Sequence, residues 1–221
     1  MRKAEQSAAT RAALLQIARD LFAERGYADT PIEEICQRAA MTRGALYHHF
    51  RDKQEMFRAV FEDVEREFAD RIIAAAADKA GPWGRLNAGC IAFLDAYLEP
   101  AFRRIMMVDG PAVLGWETWR RIDGQYGLGL LRTGLQAVMD TGLIERQPLD
   151  PLAHLLLGAL NEAGMFIAHA ENAKAARAQI GASVARLLQR LRVGEPALAH
   201  QSRGRRVRRR QRPRSQTRHK A

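Results

Sequence analysis

Apolar residues recur along this chain with the period of an α-helix, and in the first segment the stripe is complete: Leu14, Ile17, Ala18, Leu21 and Phe22 fall at i, i+3, i+4, i+7 and i+8. A helix with one such face is stable only when other elements cover it. No alternating run of β-branched or aromatic residues offers a sheet for that purpose, so the fold class expected is all-α. The 221 residues suffice for one large domain or two small ones. None of their apolar runs approaches the roughly 18 residues of a membrane span, so no membrane partner is expected. Two cysteines, Cys36 and Cys90, are too few for a disulfide framework, and no apolar signal segment follows Met1; a reducing cytoplasm is the expected location.

Punctuation divides the pattern. Gly26 stops the first helix, and Thr30-Pro31-Ile32-Glu33 offers an N-cap, a proline at the first helical position and a reciprocal capping Glu for a short second helix. Thr42 can cap a third through Phe50. Asp52 with Glu55 forms a capping box for a fourth, whose Phe57, Val60, Phe61, Val64, Phe68 and Ile72 run to the alanines at 74–77, about 40 Å in all. After Gly81-Pro82, further helices are predicted over 83–98, 100–107, 116–140, 151–171 and 174–193. The domains expected are 1–55, 56–194 and a tail, 195–221, in which proline, glycine and arginine replace the periodic apolar residues and disorder is expected. Ten of the chain's 35 Lys and Arg residues lie between 203 and 221, leaving 25 against 25 Asp and Glu in the body; the tail carries the whole net charge of +10.

Two short helices joined by a three-residue turn at 31–50, behind a packed first helix, have the dimensions of a helix-turn-helix. Leu46, Phe50 and Met41 can turn inward, which leaves Arg43, Gly44, Tyr47, His48 and Arg51 outward: donors, an aromatic and almost no anionic charge, a face suited to DNA. Arg43 can read guanine, Gly44 and Ala45 allow close approach, Tyr47 and His49 reach phosphates, and Lys53 adds a cation beside the first amides of the fourth helix. Thr30-Pro31 through Ala39-Ala40-Met41-Thr42-Arg43-Gly44-Ala45-Leu46-Tyr47-His48-His49-Phe50, then Asp52-Lys53, resembles the DNA-binding domain of the TetR family of bacterial transcriptional regulators. The resemblance covers residues 8–57 and implies phosphate contacts at Thr30, Thr42, Tyr47, His49 and Lys53 and base reading at Arg43 and its neighbours. It departs from the family pattern at Ala40, where glycine is usual; a positive φ there carries a strain on the order of 1 kcal/mol.

Residues 151–171 contain no Lys or Arg, so this helix is apolar nearly all round and needs cover on both sides, from its own domain and from a second subunit. Helix 174–193, with Ile180, Val184, Leu187, Leu188 and Leu191, is its natural neighbour. The resemblance implies a homodimer built on a four-helix bundle of these last two helices, and an effector cavity in the same domain. A minor stripe of His154, Gly158, Asn161 and Met165, with Glu162 adjoining, reads either as a pocket wall joined by Phe93, Tyr97, Phe102, Met106, Trp116, Trp119 and Tyr126 or as polar groups satisfied across a dimer interface. The aromatics suggest an unidentified, largely apolar effector, and Glu162 leaves room for a cation.

The function expected is a DNA-binding regulator, a repressor released from a palindromic double-stranded operator by a small molecule, with a ligand-responsive activator as the alternative. A nonspecific binder driven by the Arg-rich tail is a third reading. Catalysis finds little support: Gly124, Gly127 and Gly129 lie in a helical stretch with no preceding strand, and no Ser-His-Asp or Cys-His pattern emerges. No cofactor is expected, and no metal, because the adjacent His48 and His49 face different sides of a helix.

Overall fold

The computed structural model describes residues 2–193, all helix and connection, with a single isolated bridge between Ile144 and Arg192 and no strand among them. The Arg-rich tail lies outside the described residues. The first unit is three helices, α1 (Arg2–Arg25), α2 (Ile32–Arg38) and α3 (Arg43–Tyr47). Leu14, Ala18, Leu21 and Phe22 of α1 are buried against Ile32, Ile35, Leu46 and Phe50, and the rings of Phe22, Tyr27 and Phe57 pack 5.2 to 5.7 Å apart to seal this core onto the next helix.

That next helix, α4 (Lys53–Ala77), starts at Asp52, whose carboxylate accepts from Glu55 N at 2.7 Å, while Glu55 reaches back to the amide of Arg51 at 2.8 Å. The reciprocal cap is therefore present with one change, Glu55 bonding the amide just before the N-cap rather than that of Asp52 itself. The inward face of α4 runs unbroken from Met56 through Phe61, Val64 and Phe68 to Ile72, so one rigid element belongs to both cores. The larger unit continues with α5 (Gly81–Ala96), α6 (Pro100–Arg103), α7 (Gly110–Leu114), α8 (Trp116–Asp123) and α9 (Gly129–Asp140), and closes with α10 (Leu149–His169) and α11 (Ala173–Leu191). A ring of aromatics from α4, α5 and α6 fills its centre: Phe68 lies 5.2 Å from Phe93 and 4.9 Å from Phe102, and Tyr97 stands 5.6 and 5.5 Å from the same two.

Periodicity alone does not reveal two departures from α-geometry. Arg104–Asp109 and Gly124–Leu128 are π-helical, joining α6 to α7 and α8 to α9 without a break. The helix predicted over 100–107 ends inside the first of them, and the one predicted over 116–140 contains the second.

By length and apolarity α10 is capable of crossing a membrane, but Ala153, Leu156, Leu157, Leu160, Ala163, Gly164 and Ile167 are buried in the domain. Its outward face carries Leu155 and Phe166, and α11 adds Leu187, all more than half exposed.

Candidate nucleic-acid interface and effector cavity

The turn between α2 and α3 closes by a Schellman arrangement. Ala40 N donates to Gln37 O at 3.1 Å and Met41 N to Cys36 O at 3.0 Å, which puts Ala40 in the left-handed region with φ 51°. It is the one non-glycine residue with positive φ among those described. Met41 then packs on the core, and Thr42 starts α3, its hydroxyl oxygen accepting from Ala45 N at 3.2 Å. The hydroxyl proton of Thr42 stays free for an outside acceptor.

Seven of the expected DNA-contacting residues share this end of the unit: Thr42, Arg43, Gly44, Tyr47 and His48 are exposed, and Ala45 and His49 are half-buried. Arg43 is engaged. Its guanidinium meets Glu33 at 2.8 Å, reaches the Tyr47 hydroxyl at 3.4 Å and lies 5.5 Å over the Tyr47 ring, and these contacts raise its pKa, the Tyr47 hydrogen bond most. An ion pair this exposed is readily exchanged for a phosphate or a base. Gly44 has no internal reason to be glycine, since a methyl there would meet only Thr42 Oγ1, at 4.0 Å.

Two residues stand differently from expectation. Thr30 is fully buried and its hydroxyl donates to Gly26 O at 2.7 Å; it clasps the end of α1 and has no surface to offer a phosphate. Nor does it cap α2, whose N-cap is Pro31 without a side-chain bond. Lys53 is half-buried with its ammonium 4.3 Å over the Tyr27 ring, and that burial lowers its pKa against the opposing pull of Asp109. It sits at the seam between the units. There Asp109, at the end of the first π segment, accepts from Tyr27 N at 2.9 Å, and Gln54 donates to Val113 O at 2.6 Å.

The larger unit contains an apolar cavity of about 460 Å³. Ile72, Ile73 and Ala76 of α4 form one side, Leu86, Gly89, Cys90 and Phe93 of α5 another, and Gly127, Leu131 and Gly134 a third, with Leu160 of α10 at the back; the exposed Ile73, Arg85 and Thr133 are its solvent-facing members. Burial pushes the Cys90 thiol up to about 12, so it lines the wall as a small hydrophobe.

The fold, a helix-turn-helix unit joined by one continuous helix to an all-helical unit, is shared with a TetR-family transcriptional regulator from Pectobacterium atrosepticum, 35% identical, with a TM-score of 0.74 over 86% of this chain and 97% of that one. Residues 14–60 match the family model for bacterial regulatory proteins of the tetR family, and residues 83–191 match that for the tetracyclin repressor-like C-terminal domain. The chain belongs to the TetR family. Among its TetR-like relatives, the transposon Tn10 TetC protein of Escherichia coli is 28% identical over 171 residues, 77% of this chain and 84% of that protein. The HTH-type transcriptional regulator AcrR of Shigella flexneri is 33% identical over 108 residues, 48% of this chain and 50% of that protein. As a TetR-family member the chain is a DNA-binding transcriptional regulator.

The structure does not gather the expected effector residues around one void. Phe93 alone of them lines the cavity. Tyr97, Phe102, Met106 and Trp119 are core, with Trp119 Nε1 donating to Met106 O at 2.9 Å, while Tyr126 is half-buried in the second π segment. Trp116 is 67% exposed, stacked on Trp119 at 5.1 Å. The stripe on α10 splits: His154, Gly158 and Glu162 face outward beside Leu155 and Phe166, whereas Asn161 and Met165 turn partly inward. Two further residues escaped the sequence reading. Glu65 and Asp123 are buried acids close to Tyr97 and Asn161; Glu65 occupies the inward stripe of α4, four residues after Phe61 and three before Phe68, and that position was its signal.

Proposed function

We propose that this TetR-family regulator represses by occupying a palindromic operator as a homodimer and leaves it when a small molecule enters the 460 Å³ cavity. Each subunit offers the surface of α3, with Arg43 and Gly44 toward base edges and Thr42, Tyr47 and His49 toward phosphates. The dimer forms through α10 and α11, whose Leu155, Phe166 and Leu187 are exposed apolar side chains on the outward face. Such a face is what an isologous four-helix bundle buries.

The observation that carries the reading is the continuity of α4. Its first turn, at Lys53 and Gln54, abuts the DNA-binding core and the α7 end, and its last turns, at Ile72 and Ala76, wall the cavity. A ligand that wedges these last turns outward tilts the helix. It also draws on Asp109 and Val113, whose hydrogen bonds to Tyr27 and Gln54 hold the DNA-binding unit in place. The separation of the two α3 helices then departs from the roughly 34 Å that successive major grooves require. Effector and operator weaken each other by the same factor.

Ala76→Trp tests this by filling the cavity. Operator affinity is measured on DNA defined by mapping bound genomic fragments, with a panel of apolar compounds added to the wild-type and the variant. Compounds that release the wild-type protein are expected to leave Ala76→Trp bound. Equal release of both puts the effector site elsewhere and overturns the reading.

A further inference from the structure

Three buried side-chain atoms among the described residues have no hydrogen-bond partner, Glu65 Oε1, Asp123 Oδ2 and Asn161 Nδ2, and all three belong to one cluster. They come from α4, α8 and α10, and Tyr97 of α5 completes the group by donating to Asn161 Oδ1 at 3.4 Å. Glu65 is 2% exposed and Asp123 6%. The Asn161 amide lies beside Asp123 and favours its ionised form, although Nδ2 completes no hydrogen bond of normal geometry. Among the described residues the one cation in ion-pair contact with either acid is Arg120, 3.8 Å from Asp123 Oδ2 and too far to donate to it. The one guanidinium thus faces Asp123 alone, and among the described residues Glu65 has no cation in ion-pair contact. Leaving polar groups unpaired in a core is unfavourable, so the arrangement persists either through water or because something else completes it.

The cluster adjoins the inner wall of the cavity along the chain. Phe93, Gly127 and Leu160 line that wall; Tyr97 follows Phe93 by about one helical turn, Asp123 immediately precedes the π segment that holds Gly127, and Asn161 is next to Leu160. We infer that the effector is an amphiphilic cation, a protonated amine whose apolar body fills the cavity and whose N–H groups reach past Phe93 to Glu65 Oε1 and Asp123 Oδ2. An ammonium brings up to three donors and the charge that two acids need, where an alcohol brings one donor and a carboxylate only repulsion. The inference rests on the cavity being the effector site. Burial, with Asp123 behind it, pushes the Glu65 carboxyl up to about 8, so the ligand-free protein keeps a proton there at neutral pH. Burial also raises Asp123, while Arg120 and Asn161 oppose that rise. An incoming ammonium replaces the Glu65 proton, which leaves to the buffer.

Titration calorimetry on the full chain tests this with phenylbutylamine, phenylbutanol and phenylbutyrate at pH 7, in two buffers of different ionisation enthalpy. The amine is expected to bind at least tenfold more tightly than the alcohol and to release nearly one proton, and the acid to bind no better than the alcohol. Glu65→Gln, isosteric with the protonated side chain, should keep the alcohol affinity while losing both the preference for the amine and the proton release. Equal binding of amine and alcohol without proton release overturns the cation, leaves the cavity reading standing and makes the cluster a hydrated, proton-sharing pair. An amine preference undiminished in Glu65→Gln overturns it too, because the charge is then held elsewhere. If none of the three binds, the inference and the cavity reading fail together. The proton count on the wild-type chain decides even where the variant does not fold.

Discussion

Replacing Ala40 by glycine should stabilise the protein, against the usual direction of that change. In a right-handed helix or turn an exposed alanine loses roughly 0.5 to 1 kcal/mol on becoming glycine, because the unfolded chain gains freedom. Ala40, however, holds φ at 51° to close the turn between α2 and α3, and its exposed methyl contributes little packing. A β-carbon in the left-handed region costs about 1 to 2 kcal/mol. Subtracting the entropic loss leaves a net gain centred on about 0.75 kcal/mol and reaching at most about 1.5 kcal/mol, or roughly 2 to 3 °C in Tm at the centre for a chain of this size. Urea titrations of wild-type and Ala40→Gly at one fixed protein concentration provide the comparison, since a dimer's apparent stability depends on concentration. The hydrogen bonds from Ala40 and Met41 to Gln37 and Cys36 do not depend on the methyl, so operator affinity should stay within about twofold. A loss of stability of the ordinary size would refute the reasoning, because it would mean that the turn has no strain to release.

Other substitutions separate surface from core. Gly44→Ala should preserve or raise stability, since its methyl has room and alanine favours the helix by up to about 1 kcal/mol, yet weaken operator binding at least tenfold; unchanged binding in a gel-shift titration would remove the close groove approach. Leu155→Asp, at a side chain 74% exposed, should give folded monomers by sedimentation, whereas Leu156→Asp, at one 5% exposed, should unfold the domain; a Leu155→Asp dimer would dispose of the bundle. Glu65 carries a pH signature of definite sign. With its native pKa raised from 4.5 to about 8, the native state binds more protons than the unfolded one between those values, so its contribution to stability falls as pH rises through that window and levels off above about 8. Glu65→Gln should therefore match the wild-type protein below pH 4.5 and exceed it by roughly 3 to 5 kcal/mol at pH 9, as read from denaturant midpoints across the range.

Much of the fold was legible because its signals are local. Gly26, Asp52, the Gly81-Pro82 pair and the stripe from Phe57 to Ile72 each act within a turn or two of their own helix, and Ala40 stood out as the departure from the glycine that the family pattern has in that turn. Thr30 misled because Thr-Pro imitates an N-cap in sequence, while the carbonyl of Gly26, just past the end of α1, takes the hydroxyl proton and holds the side chain in the core rather than over the first turn of α2. The cavity was misassigned for a more general reason. Large side chains fill space best, so Tyr97, Phe102, Met106 and Trp119 went to close the core, and the void lies where glycine, alanine and aliphatic side chains line the facing helices. A search for bulk finds the plug and passes over the hole. Leu155 and Leu156 show the same limit on α10: adjacent leucines are indistinguishable until the neighbouring helices decide which of them turns inward.

The π segment at Gly124–Leu128 acts as a phase shifter. Along an uninterrupted α-helix each residue turns about 100°, and counting from Asp123 that rotation carries Leu131, Leu135 and Val138 roughly 60 to 120° away from it. Five residues wound with i→i+5 bonds fall short of their α-helical rotation by nearly one residue's worth, which brings those leucines and the valine back under Asp123 on a single line. All four are buried, and that is possible only because the segment spends one surplus residue on rotation. Wound as plain α-helix, the same residues would turn α9 about its own axis by nearly 100° and carry Leu135 away from the side of Asp123, whereas removing one residue from this stretch would restore the ordinary pitch and keep the buried line intact. The composition of the cavity wall is therefore written in a count of residues as much as in their identities.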